Sequence, residues 1–169
     1  MLFAAAFALV FFGLVAMAAL EDALSFTIPN WICLALAAAF PLAAMAIGMP
    51  LQTVAVNVGV GLAALVIGMV MFALRWVGGG DAKLLAAVSL WLGWPAISSF
   101  LAVTAIAGGS LAILLISLRS APLRPIVLMG PSWVVRLAEP GEGIPYGVAI
   151  AIGAVAAFPL TLFGASLGL

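Results

Sequence analysis

Only two aspartates occur in the 169 residues, Asp22 and Asp81. Each stands where a long apolar stretch gives way to turn-forming residues. Asp81 closes the run Trp76-Val77-Gly78-Gly79-Gly80-Asp81, and Lys83, the only lysine, follows two positions later. A carboxylate beside lipid-soluble chain is costly to place and marks a functional position by default. Two carboxylates held within a few ångströms cannot both ionise cheaply, so one keeps a proton while the other acts as a base. Such a pair can activate a water against a peptide carbonyl while the protonated partner donates to the carbonyl oxygen. The plainer reading is that one aspartate caps a helix and the other pairs with Lys83 or an arginine.

Few other chemistries survive the composition. There is no histidine and one cysteine, Cys33, which excludes Ser–His–Asp and Cys–His catalysis, zinc sites of the usual kinds and an internal disulfide. Cys33 lies in an apolar run and reads as a small packing residue. A Ser–Lys hydrolase would have to use Lys83 with Ser25 or Ser89. No metal and no cofactor is expected. Net charge is zero without a basic run, so nucleic acid is not an expected partner.

The elements that must position the aspartates are membrane helices. The chain is 68% hydrophobic and 6% charged, more apolar surface than a soluble domain of this size can hide, so its solvent is a lipid bilayer. The fold class expected is all-α: one membrane-embedded domain over residues 1–169, a bundle of about six transmembrane helices. The apolar segments are Leu2–Leu20, Trp31–Ile47, Thr53–Leu74, Leu84–Leu92, Ile97–Leu118 and Tyr146–Leu167. Most reach the length needed to cross about 30 Å of hydrocarbon. The fourth is short, and either spans by including Asp81–Lys83 as its first turn or is half-inserted. The first lacks a basic flank and is expected to be a retained span rather than a cleaved signal.

Turn-rich connectors separate the segments: Ile28-Pro29-Asn30, Gly48-Met49-Pro50, Gly78–Gly80, Gly93-Trp94-Pro95 and the long stretch Arg119–Pro145. Pro29 suits the first turn of the second helix, and Asn30 can bond freed backbone groups there. Gly78 and Gly80 allow a sharp turn and close approach to a substrate strand. Gly59, Gly61, Gly68, Gly108, Gly109 and Gly153 read as helix-packing positions in lipid. The apolar part of the long connector, Ile126–Ala138, is broken by Gly130-Pro131 and reads as an interfacial segment.

Charge is confined to alternate connectors. Glu21 and Asp22 fall in the first, Arg75, Asp81 and Lys83 around the third, and Arg119, Arg124, Arg136, Glu139 and Glu142 in the fifth. With six spans these connectors share one face, which the positive-inside rule makes cytoplasmic, leaving both termini outside. The two aspartates then share that face.

These residues resemble a known family. Gly78-Gly79-Gly80-Asp81 matches the Gly-x-Gly-Asp motif of the type IV prepilin peptidases, and Ala82-Lys83-Leu84 extends the likeness. Asp22 followed seven residues later by Pro29 is similar to that family's other signature. Ile144-Pro145-Tyr146-Gly147 resembles the motif that opens its last helix. The resemblance implies that Asp22 and Asp81 are a catalytic pair cutting the leader of type IV-like prepilins at the cytoplasmic boundary, before their apolar stem. It implies residence in the inner membrane and a role in pilus biogenesis. The short form is similar to the peptidases of Tad/Flp pilus systems. Larger relatives add a methylase domain with paired Cys-x-x-Cys motifs, and one cysteine cannot supply these, so methylation is not expected. Relatives often carry basic residues just after the first aspartate, whereas Ala23–Thr27 has none. From a different class, a small transporter or proton conductor would use Asp22 and Asp81 as a relay.

Overall fold

The computed structural model describes residues 2–120, 127–130, 135 and 143–169. Most of Ile126–Ala138, read above as interfacial, lies outside them, as do Arg124, Arg136, Glu139 and Glu142. The described elements are α1 (Leu2–Ser25), α2 (Asn30–Ala46), α3 (Leu51–Ala73), α4 (Gly79–Leu118), α5 (Tyr146–Ala157), a 3-10 turn (Phe158–Leu160) and α6 (Leu162–Leu167). No strand occurs among the described residues. The fold is an all-α membrane bundle, as the composition requires. Three of its helices, α1, α3 and α4, are long and apolar enough to cross a membrane, and α2 and α5 are shorter apolar helices. Side chains such as Leu9, Leu34, Leu62, Val66, Ile106 and Ile113 are exposed on the outside of the bundle. That surface suits lipid, which also explains the helices themselves, since each satisfies its backbone hydrogen bonds within its own segment.

The expected fourth and fifth segments are run together as α4, but its backbone is not helical at Gly93 (φ 58°) and Trp94. Residues 79–92 pack along α3, with Ala82 against Gly68 and Leu90 against Gly61. Residues 95–118 pack along α5, Phe100 and Thr104 against Gly153 and Gly108 against Tyr146. Following these contacts, the two halves run antiparallel, and Gly93 is the turn between two spans. Its left-handed φ suits glycine, and Asn57 of α3 occupies the space a side chain there would need. Residues 79–92 cover only about 20 Å at 1.5 Å of rise each, less than the hydrocarbon thickness of about 30 Å.

Three expectations change. The first helix continues past Leu20 to Ser25, so Glu21 and Asp22 belong to its last turns and not to a connector. The last segment, Tyr146–Leu167, is not one helix. Thr161 is extended, and its Oγ1 accepts the Gly164 N–H at 3.0 Å to start α6. Gly59 and Gly109, expected to pack between helices, have nothing within 4 Å of where a Cβ would stand. Gly61, Gly68, Gly108 and Gly153 do lie against neighbouring helices.

The end of the bundle away from the aspartates is held by aromatic packing. Trp91 lies between Phe11 and Phe163, each at a ring-centroid distance of 5.1 Å, and Phe158 stacks on Phe11 at 5.2 Å. The indole Nε1 of Trp91 donates to the Leu36 carbonyl at 2.8 Å, so the buried ring leaves no donor unpaired. This cluster ties α1, α2, the first half of α4 and α6 into one unit. It orients the helix ends that carry Asp22 and Asp81.

Gly153→Leu is expected to lower stability by about 1–3 kcal/mol through overpacking against Thr104 and Phe100, whereas Gly59→Leu, facing open space, leaves it unchanged. Thermal unfolding in detergent of the two variants side by side checks this. Thr161→Ala, which removes the cap of α6, is expected to cost about 1 kcal/mol in the same measurement.

Candidate active site

Asp22 and Asp81 line one cavity of about 480 Å³ at the charged end of the bundle, together with Phe26, Arg75, Gly78 and Tyr146. Of the charged residues, Asp22, Asp81 and Arg75 stand together here. Arg75 enters the cavity wall, and Arg119 donates from Nη2 to the Gly143 carbonyl at 3.1 Å, beside the start of α5.

Each carboxylate is tied to a helix N-terminus. Asp22 is 5% exposed and lies near the C-terminus of α1, the end of the helix dipole that disfavours negative charge. The first turn of α5 compensates, because the Gly147 N–H donates to Asp22 Oδ2 at 2.6 Å. The first N–H groups of a helix have no partner within it, so this bond satisfies both sides. Asp81 stands in the first turn of α4, and the Gly78 N–H donates to its Oδ2 at 3.2 Å. Its other oxygen, Oδ1, is buried and has no hydrogen-bond partner among the described residues. A buried carboxylate oxygen without a partner is costly, so Asp81 has a bond left to make.

Close approach, rather than a sharp turn, explains the local glycines. Gly78 has an ordinary extended backbone (φ −70°, ψ 149°), but a Cβ on it would come within 2.8 Å of Asp81 Oδ2. Gly80 is helical, and a Cβ there would meet Ile28 at 3.1 Å. Gly147 is tightest around Asp22: its Cβ would stand 2.9 Å from Oδ2 and 3.1 Å from Ile28. Ile28, buried between Gly80 and Gly147, is thus the spacer between the two helix starts that bind the carboxylates. Sequence reasoning did not single it out, since one isoleucine in an apolar chain carries no signal. Phe26 and Arg75, at the ends of α1 and α3, adopt left-handed φ values of 54° and 62°. Side-chain-bearing residues adopt these at some energetic cost, and such outliers cluster at functional sites.

The remaining predicted residues lie elsewhere. Lys83 Nζ donates to Asn30 Oδ1 at 2.8 Å, and both line a separate apolar cavity of about 670 Å³ between α2, α3 and α4. Asn30 therefore serves Lys83 rather than the backbone of its own helix. Pro29 is the residue before α2, with an extended ψ of 134°, and not part of its first turn. A Ser–Lys arrangement is not formed: Ser25 Oγ donates to the Glu21 carbonyl and Ser89 Oγ to the Leu85 carbonyl. Cys33 is buried.

Residues 9–113 match the type IV leader peptidase family. The matched stretch carries Asp22, Gly78–Asp81 and Lys83, and stops short of α5. No curated protein and no solved structure gives a significant match. The family match covers well over half of the chain and agrees with its helical, membrane-spanning architecture. The chain belongs to the type IV leader peptidase family, and its general activity is that of a prepilin leader peptidase held in the membrane.

Proposed function

We propose that residues 1–169 form one aspartic peptidase domain that cuts the leader of Flp-like prepilins at the cytoplasmic face of the inner membrane. Asp22 and Asp81 are its catalytic pair. The observation that carries this reading is the meeting of the only two aspartates in one cavity at one end of the bundle, each steadied by an N–H from a helix start.

In the mechanism, the pair holds one proton. The ionised aspartate takes a proton from a water between the two, and the resulting hydroxide adds to the scissile carbonyl carbon. The protonated aspartate gives its proton to the carbonyl oxygen, so the tetrahedral intermediate forms without a free oxyanion. Collapse returns that proton to the pair and delivers the other to the departing amine. Asp81 Oδ1, buried and unpartnered among the described residues, is the oxygen suited to hold the water or the shared proton. Phe26, Phe72, Val77 and Ile144 in the cavity wall keep the reacting atoms in low-dielectric surroundings, where fixed charges act more strongly. A relay for transport is less well supported, because both aspartates stand at one end of the bundle and not near its middle.

Asp22→Asn and Asp81→Asn are each expected to reduce cleavage of a Flp-type prepilin by about 10²–10⁴-fold. Lys83→Ala, which removes a contact outside the cavity, leaves most of it. A gel-shift assay in membranes with matched protein levels makes the comparison, and cleavage surviving both aspartate changes would sink the proposal. Gly147→Val is expected to act like an aspartate variant despite altering neither carboxylate, because its side chain displaces Asp22 Oδ2 from the α5 N-terminus.

A further inference from the structure

The backbone is left-handed at five of the described positions, and the residue types there divide by place. Gly48, Gly93 and Gly168 hold three of them, and none of these lines the aspartate cavity. Glycine adopts such a φ without strain. The other two are Phe26 (φ 54°) and Arg75 (φ 62°), and both line that cavity. The described chain thus accepts a strained side chain only beside the aspartates.

Arg75 sits in a turn that glycine would end more easily. The Arg75 N–H donates to the Phe72 carbonyl and the Trp76 N–H to the Met71 carbonyl, both at 2.9 Å. These are the paired bonds of a helix terminus whose left-handed residue is most often glycine. At the end of α1 the Phe26 N–H donates to the carbonyl of Asp22 itself, also at 2.9 Å. A side chain in either place costs energy that glycine would not, so something other than the turn must favour it.

Nothing within the described protein favours it for Arg75. The residue is exposed, and its guanidinium has no hydrogen-bond or ion-pair partner among the described residues, neither aspartate included. A guanidinium offers five N–H donors and no acceptor, so it can bind only an acceptor group. Phe72 and Trp76, from the same turn, also line the cavity. A chain entering it therefore meets aromatic side chains and one unpaired cation.

We propose that Arg75 is a substrate-binding residue of the aspartate cavity, donating to an oxygen of the substrate chain near the scissile bond. That oxygen belongs to a main-chain carbonyl or to a side-chain carboxylate, and the planar fork of the guanidinium suits either. The inference rests on the peptidase reading above and adds what holds the substrate beside the aspartates. Because Arg75 pairs with neither aspartate, it grips the chain without neutralising the pair that moves the proton.

Binding in detergent tests this without catalysis, because a side chain that merely anchors the protein at the membrane surface has no role there. The ligand is a fluorescent peptide spanning the cleavage site of a Flp-type prepilin, and the protein carries Asp81→Asn. Adding Arg75→Gly is expected to weaken binding about tenfold, the equivalent of about 1.4 kcal/mol. The thermal midpoint is expected to rise, since glycine relaxes the turn. Arg75→Lys keeps the charge and is expected to recover part of the binding. Unchanged binding in Arg75→Gly, or weaker binding with a lower midpoint, overturns the proposal. A second peptide has the acidic residues beside the cut changed to their amides. If the tenfold effect persists the oxygen is a carbonyl, and if it vanishes a carboxylate; both support the contact. In the protein with both aspartates, Arg75→Gly is expected to raise KM about tenfold and leave kcat unchanged. If that protein cuts no prepilin while Arg75→Gly still weakens binding, the peptidase reading fails and the contact stands.

Discussion

The bond from the Gly147 N–H to Asp22 Oδ2 joins two helix ends that would otherwise both be unfavourable in lipid. The last turns of α1 carry an acid where the helix dipole is negative, and the first turn of α5 carries N–H groups with no partner of their own. Neither defect can be left to water within a bilayer, and together they cancel. A charge-assisted bond of this kind contributes about 1.5–3 kcal/mol, and it forms only because position 147 has no side chain. The first and last parts of the described chain are thereby locked at the depth where the chemistry is proposed. Asp81 repeats the device within a single helix, through Gly78.

The rest of the bundle is the frame that brings those helix starts together. The aromatic cluster around Trp91 fixes the far end, and the glycine contacts of α3 with residues 79–92 and of α5 with residues 95–118 draw the helices close along their length. In lipid, burial of apolar surface gives little reason for helices to associate, so close van der Waals contact must supply it. A bundle packed this tightly has no slack for a larger side chain at Gly153 or Gly147. The outer faces, by contrast, carry glycines such as Gly59 that touch nothing.

The break at Gly93 has a functional consequence. Because the chain turns back after residue 92, the helix that carries Asp81 is only about 20 Å long, and its packing antiparallel to α3 leaves Asp81 at the same end as Asp22. Ile28, wedged between Gly80 and Gly147, spaces the starts of α4 and α5 from within the connector between α1 and α2.

Much of this was determined by the sequence alone. Composition required a lipid solvent and therefore helices; the confinement of charge to alternate connectors required the aspartates to share an end; and the spacing of Gly-x-Gly-Asp with the upstream Asp-to-Pro run identified the family. These are one-dimensional properties, set by hydropathy and by the cost of charge in hydrocarbon. Tertiary structure alone decided which groups meet. The length of α1 placed Asp22 inside a helix, because its partner comes from a segment more than a hundred residues away. Lys83, two residues after Asp81 in the chain, turned to Asn30, since residues two apart on a helix face different ways. The final segment broke at Thr161, where a side-chain cap outweighed continuous apolarity. For Asp22 and Lys83 the deciding term was a contact between distant residues, which no local pattern of residue types encodes; the Thr161 cap is local, but the apolar run around it hides it.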